Sequence, residues 1–132
     1  MILPALALFV ADIPVVEAWR DRGVAPGTWT YAAAPLASVA SYGGRVEVRC
    51  DKMTRRLSVV LDGQAMPGTR LLISTTNGDR WLPQPAAWHA SDAIGDWMAF
   101  SRGRILFLEE GHMPLVVPSW PRLARVVEDC RV

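Results

Sequence analysis

Two cysteines constrain this chain more than any other feature. Cys50 ends the alternating run Arg45-Val46-Glu47-Val48-Arg49-Cys50, and Cys130 falls in the last turn of an amphipathic carboxy-terminal segment. There is no Cys-x-x-Cys, and His89 and His112 stand in unrelated contexts, so the pattern does not suit a zinc site. An even pair in a chain with an export-like start reads as a disulfide. The two positions are 80 apart. A loop of that size is worth about 4–5 kcal/mol in the chain-entropy model, an upper estimate. That is a large part of a typical stability of roughly 5–15 kcal/mol. Any fold must then bring the terminal helix against the Cys50 strand. The alternative, two buried free thiols, leaves the helix held by packing alone.

The export-like start is the run Ile2 to Val10, almost purely apolar and extended by Ala11. Asp12 interrupts it, and Ile13 to Val16 resume. A bilayer span needs about 20 apolar residues, so no transmembrane span is expected. The run suits the central region of a secretory signal, with Val16-Glu17-Ala18 as a small-residue cleavage site. Residues 1–18 are therefore expected to be a signal or export segment, and 19–132 a single β-rich domain. No Lys or Arg precedes the run. Either the start lies upstream of Met1, or the run is a first strand or helix of the mature domain.

At 132 residues the chain has room for one domain with a real core. Its net charge of +1 provides no long-range field for nucleic acid or an anionic membrane, so neither is expected as a partner. The thirteen arginines are scattered, which suits a codon bias better than a built anion site. The six tryptophans (Trp19, Trp29, Trp81, Trp88, Trp97 and Trp120) have no regular spacing. Core and rim positions account for them better than a sugar-binding groove.

The middle of the chain reads as strands. Gly27 to Tyr31 is β-prone after a Pro-Gly turn, Leu36 to Tyr42 alternates, and Gly43-Gly44 turns into Val46–Cys50. Arg56 to Leu61 follows and Asp62-Gly63 closes it. Thr69 to Thr76 and Asp79 to Leu82 form a hairpin around Asn77-Gly78. Pro83 and Pro85 break the sheet, and Trp88-His89-Ala90 is ambiguous. The period then changes. Ser91 is the expected N-cap of a short helix with Asp92 in its first turn, weakened by Gly95 and stopped at Gly103. Arg104 to Leu108 and Met113 to Val117 make a last hairpin. Ser119 is the expected cap of a terminal helix whose apolar face is Trp120, Leu123, Ala124, Val127 and Cys130. Glu128 and Asp129 sit where the helix dipole disfavours acids, so outside cations are expected: structural ion pairs with Arg102 or Arg104. The fold class is mainly β, a β-rich α+β domain. It is an antiparallel sandwich or partly open barrel with a short inserted helix and a carboxy-terminal helix.

Residues 91–131 carry a motif: Asp92, Met98-Ala99-Phe100-Ser101-Arg102-Gly103-Arg104, Leu115 with Pro118, Trp120-Pro121, and Arg125-Val126-Val127-Glu128-Asp129-Cys130-Arg131. This block resembles a group of small exported alphaproteobacterial proteins of unknown function. The order of elements is more distantly similar to the invasion-associated locus B family of small disulfide-containing β proteins. The resemblance implies export to the periplasm or beyond and a β-rich fold. It carries over no catalytic residue.

Chemistry is sparse. A triad can be assembled from Ser101, His112 and Asp96, but no Gly-x-Ser-x-Gly elbow supports it. Asp92 and Asp96 are four apart and share a helix face, an arrangement open to paired acid–base carboxylates, although capping and solvated acids are commoner. No phosphate loop or other cofactor motif appears. The expected function is a non-enzymatic periplasmic or envelope protein that binds a protein or an envelope component. The alternative is a small periplasmic hydrolase using Ser101 and His112. The two part on the Ser101–His112 geometry and on whether an exposed apolar patch gathers tryptophans.

Overall fold

A computed structural model gives the architecture and describes residues 23–132. The expected export segment, residues 1–18, lies outside the described residues. The strands are β1 (Trp29–Ala33), β2 (Ala37–Tyr42), β3 (Val46–Asp51), β4 (Arg56–Leu61), β5 (Arg70–Ser74), β6 (Asp79–Pro83), β7 (Ala86–His89), β8 (Arg104–Glu109) and β9 (Leu115–Pro118). Two helices are described, α1 (Ala93–Ala99) and α2 (Pro121–Arg131). One sheet has the order β1-β2-β3-β4-β7 and the other β6-β5-β8-β9, with every pairing antiparallel. Neither sheet closes on itself. The expected mainly β, antiparallel architecture is what the described residues form: two sheets in a sandwich-like arrangement, with no closed barrel.

The five-stranded sheet follows the sequence alternation closely. Ala40, Tyr42, Val46, Val48, Cys50, Leu57, Val59, Ala86 and Trp88 all point inward and are buried. The residues between them face water, as in a sheet covered on one side. The four-stranded sheet differs. In β5 the residues Leu71 to Ser74 are buried in succession, as are Ile105 to Phe107 in β8 and Leu115 to Val117 in β9. Its inner residues join the main core. Leu72, Leu106 and Val116, on the other face, form a separate cluster with Trp81 and Leu108.

Of the ambiguous Trp88-His89-Ala90 stretch, Trp88 and His89 belong to β7, which pairs Trp88 with Leu57 and forms the edge of the five-stranded sheet, and Ala90 lies just past its end. Pro83 and Pro85 mark the crossover from β6 in one sheet to β7 in the other, with a cis Gln84–Pro85 bond between them. Prolines fit there because they supply no ladder N–H. The β5–β6 hairpin forms as expected. Its connection is the four residues 75–78, in which Thr75 Oγ1 accepts from the Asn77 and Gly78 N–H groups.

Both helix caps differ from expectation. The α1 N-cap is Asp92, not Ser91: its carboxylate accepts the Ile94 N–H at 3.0 Å. An ionised acid suits the positive helix end better than a hydroxyl does. Ser91 instead turns back on His89, with its N–H 3.1 Å from Nδ1. At α2, Trp120 occupies the N-cap with extended backbone and no side-chain cap. Pro121, first in the helix, removes one of the four N–H groups that have no partner within the helix. Ser119 donates its N–H to Gly103 O at 3.0 Å, tying the α2 entry to the turn before β8. The disulfide Cys50–Cys130 joins β3 to the last turn of α2, with the Cα atoms 5.6 Å apart. It fixes α2 over the inner face of the five-stranded sheet, where Leu123, Val126 and Val127 enter the main core. Gly95 lets α1 approach: a Cβ there would stand 3.2 Å from Val127 Cγ1 and 3.5 Å from Leu57.

Candidate functional site

Where α1 ends and α2 begins, the two segments leave a groove between them. Ala99, Phe100 and Ser101 form one wall; Ser119, Trp120, Pro121 and Ala124 form the other. The space is about 310 Å³ and its lining is mainly apolar. That is the lower end of the range for small-ligand pockets, enough for one or two large side chains. Phe100 is 62% exposed. It is the α1 C-cap, donating its N–H to Asp96 O and Met98 O, so the helix end holds its backbone while its ring stays at the rim.

The Trp120 wall is fixed from behind. Its ring stacks on Trp29 with centroids 5.7 Å apart and planes 4° from parallel. Trp29 meets Tyr42 edge-on at 5.3 Å and donates from Nε1 to Pro118 O at 2.8 Å. Tyr42 Oη donates to Ala25 O at 2.6 Å. Aromatic pairs of this kind add about 0.5–1.5 kcal/mol beyond area burial and hold a ring in one pose. The rim is basic. Arg102, Arg122 and Arg125 follow the groove residues Ser101, Pro121 and Ala124 in sequence, and all three are exposed. Arg122 lies over the Trp120 ring and Arg125 over the Tyr31 ring, each at 5.7 Å.

The triad residues are not brought together. Ser101 precedes β8 and His112 follows it. At about 3.3 Å per residue, the six residues of β8 hold the two groups roughly 17 Å or more apart. Ser101 is buried, and its hydroxyl donates to Arg104 O at 2.7 Å and accepts the Thr76 N–H at 3.2 Å. His112 is exposed, with Nδ1 3.9 Å from Glu109 Oε2. Asp96 accepts from Arg131 at 2.8 Å. Asp92 is the α1 cap and is gripped by Arg80 at 2.8 and 2.9 Å. Its carboxyl is held below the usual range, first by the Ile94 N–H and further by Arg80, against an opposing effect of burial. Asp92 and Asp96 are thus each committed to an arginine. They do not form an acid–base pair.

The expected ion pairs of Arg102 and Arg104 with Glu128 and Asp129 are absent among the described residues. The Arg102–Arg104 turn is tied to the start of α2 through Gly103 O. Asp129 lies ten residues further on, about 15 Å along a helix. Asp129 instead accepts the Tyr31 hydroxyl, a bond that raises the Tyr31 pKa, with burial the next cause. Arg131 makes the ion pair that secures this end of α2. It reaches Asp96 and also donates to Ala90 O at 2.8 Å, and the Asp96 bond is the main cause of its raised pKa. Sequence reading missed Tyr31, Arg80 and Arg131 as partners. It marked Phe100 and Trp120 only as motif and helix-face residues. The neighbouring Trp120-Pro121 and the apolar residue just past a helix end were the available signals.

No family model matches this chain, and no match is found among curated proteins or solved structures. Among the described residues, no helix is long and apolar enough to cross a membrane. Nor do three His, Cys, Asp or Glu side chains converge there as a metal site would require.

Proposed function

We propose that this is an exported, non-enzymatic protein of the periplasm or envelope, and that it binds another protein through the groove between α1 and α2. The observation that carries this reading is Phe100, a large apolar ring left 62% exposed beside the stacked Trp120 wall. Burying such a ring in a complex contributes about 1.5–3 kcal/mol. A pre-stacked aromatic wall with Arg122 over the Trp120 ring has the composition of binding hot spots. The exposed arginines near it in sequence favour an acidic segment carrying one bulky apolar anchor. The disulfide supports an oxidising compartment, and the likeness of residues 91–131 to small exported proteins supports the same location. The hydrolase alternative has no geometric support, because the Ser101 hydroxyl is fully occupied and His112 lies at the far end of β8.

Crosslinking in the native envelope tests the reading, comparing the wild type with Phe100→Asp. Capture of a specific protein should be lost in the variant and weakened by added salt, while the thermal midpoint of the domain stays unchanged. Equal capture by both forms would show that the groove is not the site.

A further inference from the structure

We infer that Asn77 is a modification site: it deamidates spontaneously in the folded chain, and the change unlatches the β5–β6 turn from the end of α1 that carries Phe100. Asn77 is the only asparagine of the 132 residues, and Gly78 follows it. Asparagine is chemically labile, and a following glycine has no side chain to shield the backbone nitrogen that attacks the amide. The pair lies in the 75–78 connection, outside the strand ladder, and Asn77 is exposed. Its reacting groups are lightly held. The Asn77 and Gly78 N–H groups share one acceptor, Thr75 Oγ1, each at 3.1 Å. The Asn77 amide donates to Trp97 O at 3.3 Å, just beyond the usual range. The fold also requires this glycine, because a Cβ on Gly78 would stand 3.0 Å from two carbons of the Trp97 ring. The labile pair is therefore part of the packing.

The reaction needs only water. The Gly78 backbone nitrogen gives up its proton and attacks Asn77 Cγ, forming a cyclic imide. The bond from Cγ to Nδ2 breaks, and ammonia leaves with that proton. Water then opens the imide at either carbonyl. Attack at Cγ gives aspartyl at position 77; attack at the backbone carbonyl gives isoaspartyl, with the main chain rerouted through Cγ. Both products undo a latch. Trp97 O belongs to the last turn of α1, whose carbonyls lack partners within the helix, and the Asn77 amide serves it. On the other side of Phe100, the Thr76 N–H donates to Ser101 Oγ at 3.2 Å and the Arg102 N–H to Thr76 Oγ1 at 2.9 Å. The turn thus braces the Ala99–Ser101 wall of the groove from Trp97 to Arg102. An aspartyl carboxylate cannot donate to Trp97 O, and it puts negative charge at a helix C-terminus, where acids are disfavoured. Isoaspartyl adds a main-chain atom to the connection and moves Gly78 off the Trp97 ring. The consequence for binding rests on the groove reading; the modification and its effect on the end of α1 do not.

The test ages the full, oxidised chain at mildly alkaline pH and physiological temperature, beside Asn77→Gln, whose longer side chain closes a ring far more slowly. The wild type should become heavier by about one mass unit, with peptide mapping finding aspartyl and isoaspartyl at position 77, while position 77 of Asn77→Gln stays unchanged. Hydrogen exchange at the amides of residues 100–102 should be about tenfold faster in the aged wild type and in Asn77→Asp than in the fresh chain. An unchanged position 77, in a buffer where a free peptide of residues 74–80 converts, would overturn the proposal. So would conversion that leaves exchange at residues 100–102 as it was. In the envelope crosslinking experiment the aged chain should capture less partner than the fresh one, and equal capture would overturn the effect on binding. No capture by the fresh chain would sink the groove reading instead, and the mass and exchange results would still decide this inference.

Discussion

Asp92 has two roles: it caps α1 and accepts the Arg80 guanidinium, which also lies over the Trp97 ring at 5.1 Å. Asp92→Ala removes both and is expected to cost about 1–2 kcal/mol, the range for loss of a cap, measured by urea unfolding. Its folded pKa is depressed from an ordinary 3.8. Its stabilisation is therefore present above the unfolded pKa and lost as pH falls through the lower folded value. The stability gap between wild type and Asp92→Ala should narrow as pH drops below about 4. A gap constant down to about pH 2 would mean the charge plays no part. Tyr31 joins β1 to α2 through Asp129. Tyr31→Phe is expected to cost about 1–2 kcal/mol, within the usual range for a hydrogen bond to a charged group at a part-exposed site. Asp129→Asn should cost less than Tyr31→Phe, because an amide oxygen still accepts from the hydroxyl. The reverse order in chemical denaturation would point back to an ion pair at Asp129.

At the scale of elements, the helix pair depends on one small residue and one covalent bond. Gly95→Val forces a branched side chain into the contact with Val127 and Leu57. It should cost about 2–3 kcal/mol, in the overpacking range. Gly95→Ala gains helix propensity of about 1 kcal/mol against a Cβ contact of 3.2 Å, and the two should nearly cancel. Calorimetric midpoints of both variants check this. Replacing Cys50 and Cys130 together with alanine should remove up to about 4 kcal/mol, and non-reducing mass spectrometry of the wild type should show no titratable thiol. Most strands and both helices were legible in the sequence, because period-two and period-3.6 patterns are local. The caps were misplaced by one residue each. At α1 the Asp92 cap is also held by Arg80, twelve residues away, and at α2 the entry is also tied to Gly103, which takes the Ser119 N–H. Neither partner can be read from the segment itself.

Across the whole molecule, the sequence by itself determined that the chain is mainly β, that its strands pair in hairpins, and that a terminal helix docks on a strand through Cys50 and Cys130. Those follow from short-range patterning and from the even pair of thiols. Only the tertiary structure decided that β7 crosses back to the first sheet, that β8 inserts beside β5, and that Ser101 and His112 end up at opposite ends of one strand. It also decided which arginines meet which acids, replacing the expected Arg102 and Arg104 pairs with Arg131–Asp96 and Arg80–Asp92. The physical reason is one of range. Hydrophobic periodicity acts over a few residues and is written in the chain. Ion pairs, aromatic stacks and grooves form between different elements, from twelve residues apart for Arg80 and Asp92 to 89 for Trp29 and Pro118. Their geometry exists only after the sheets have packed.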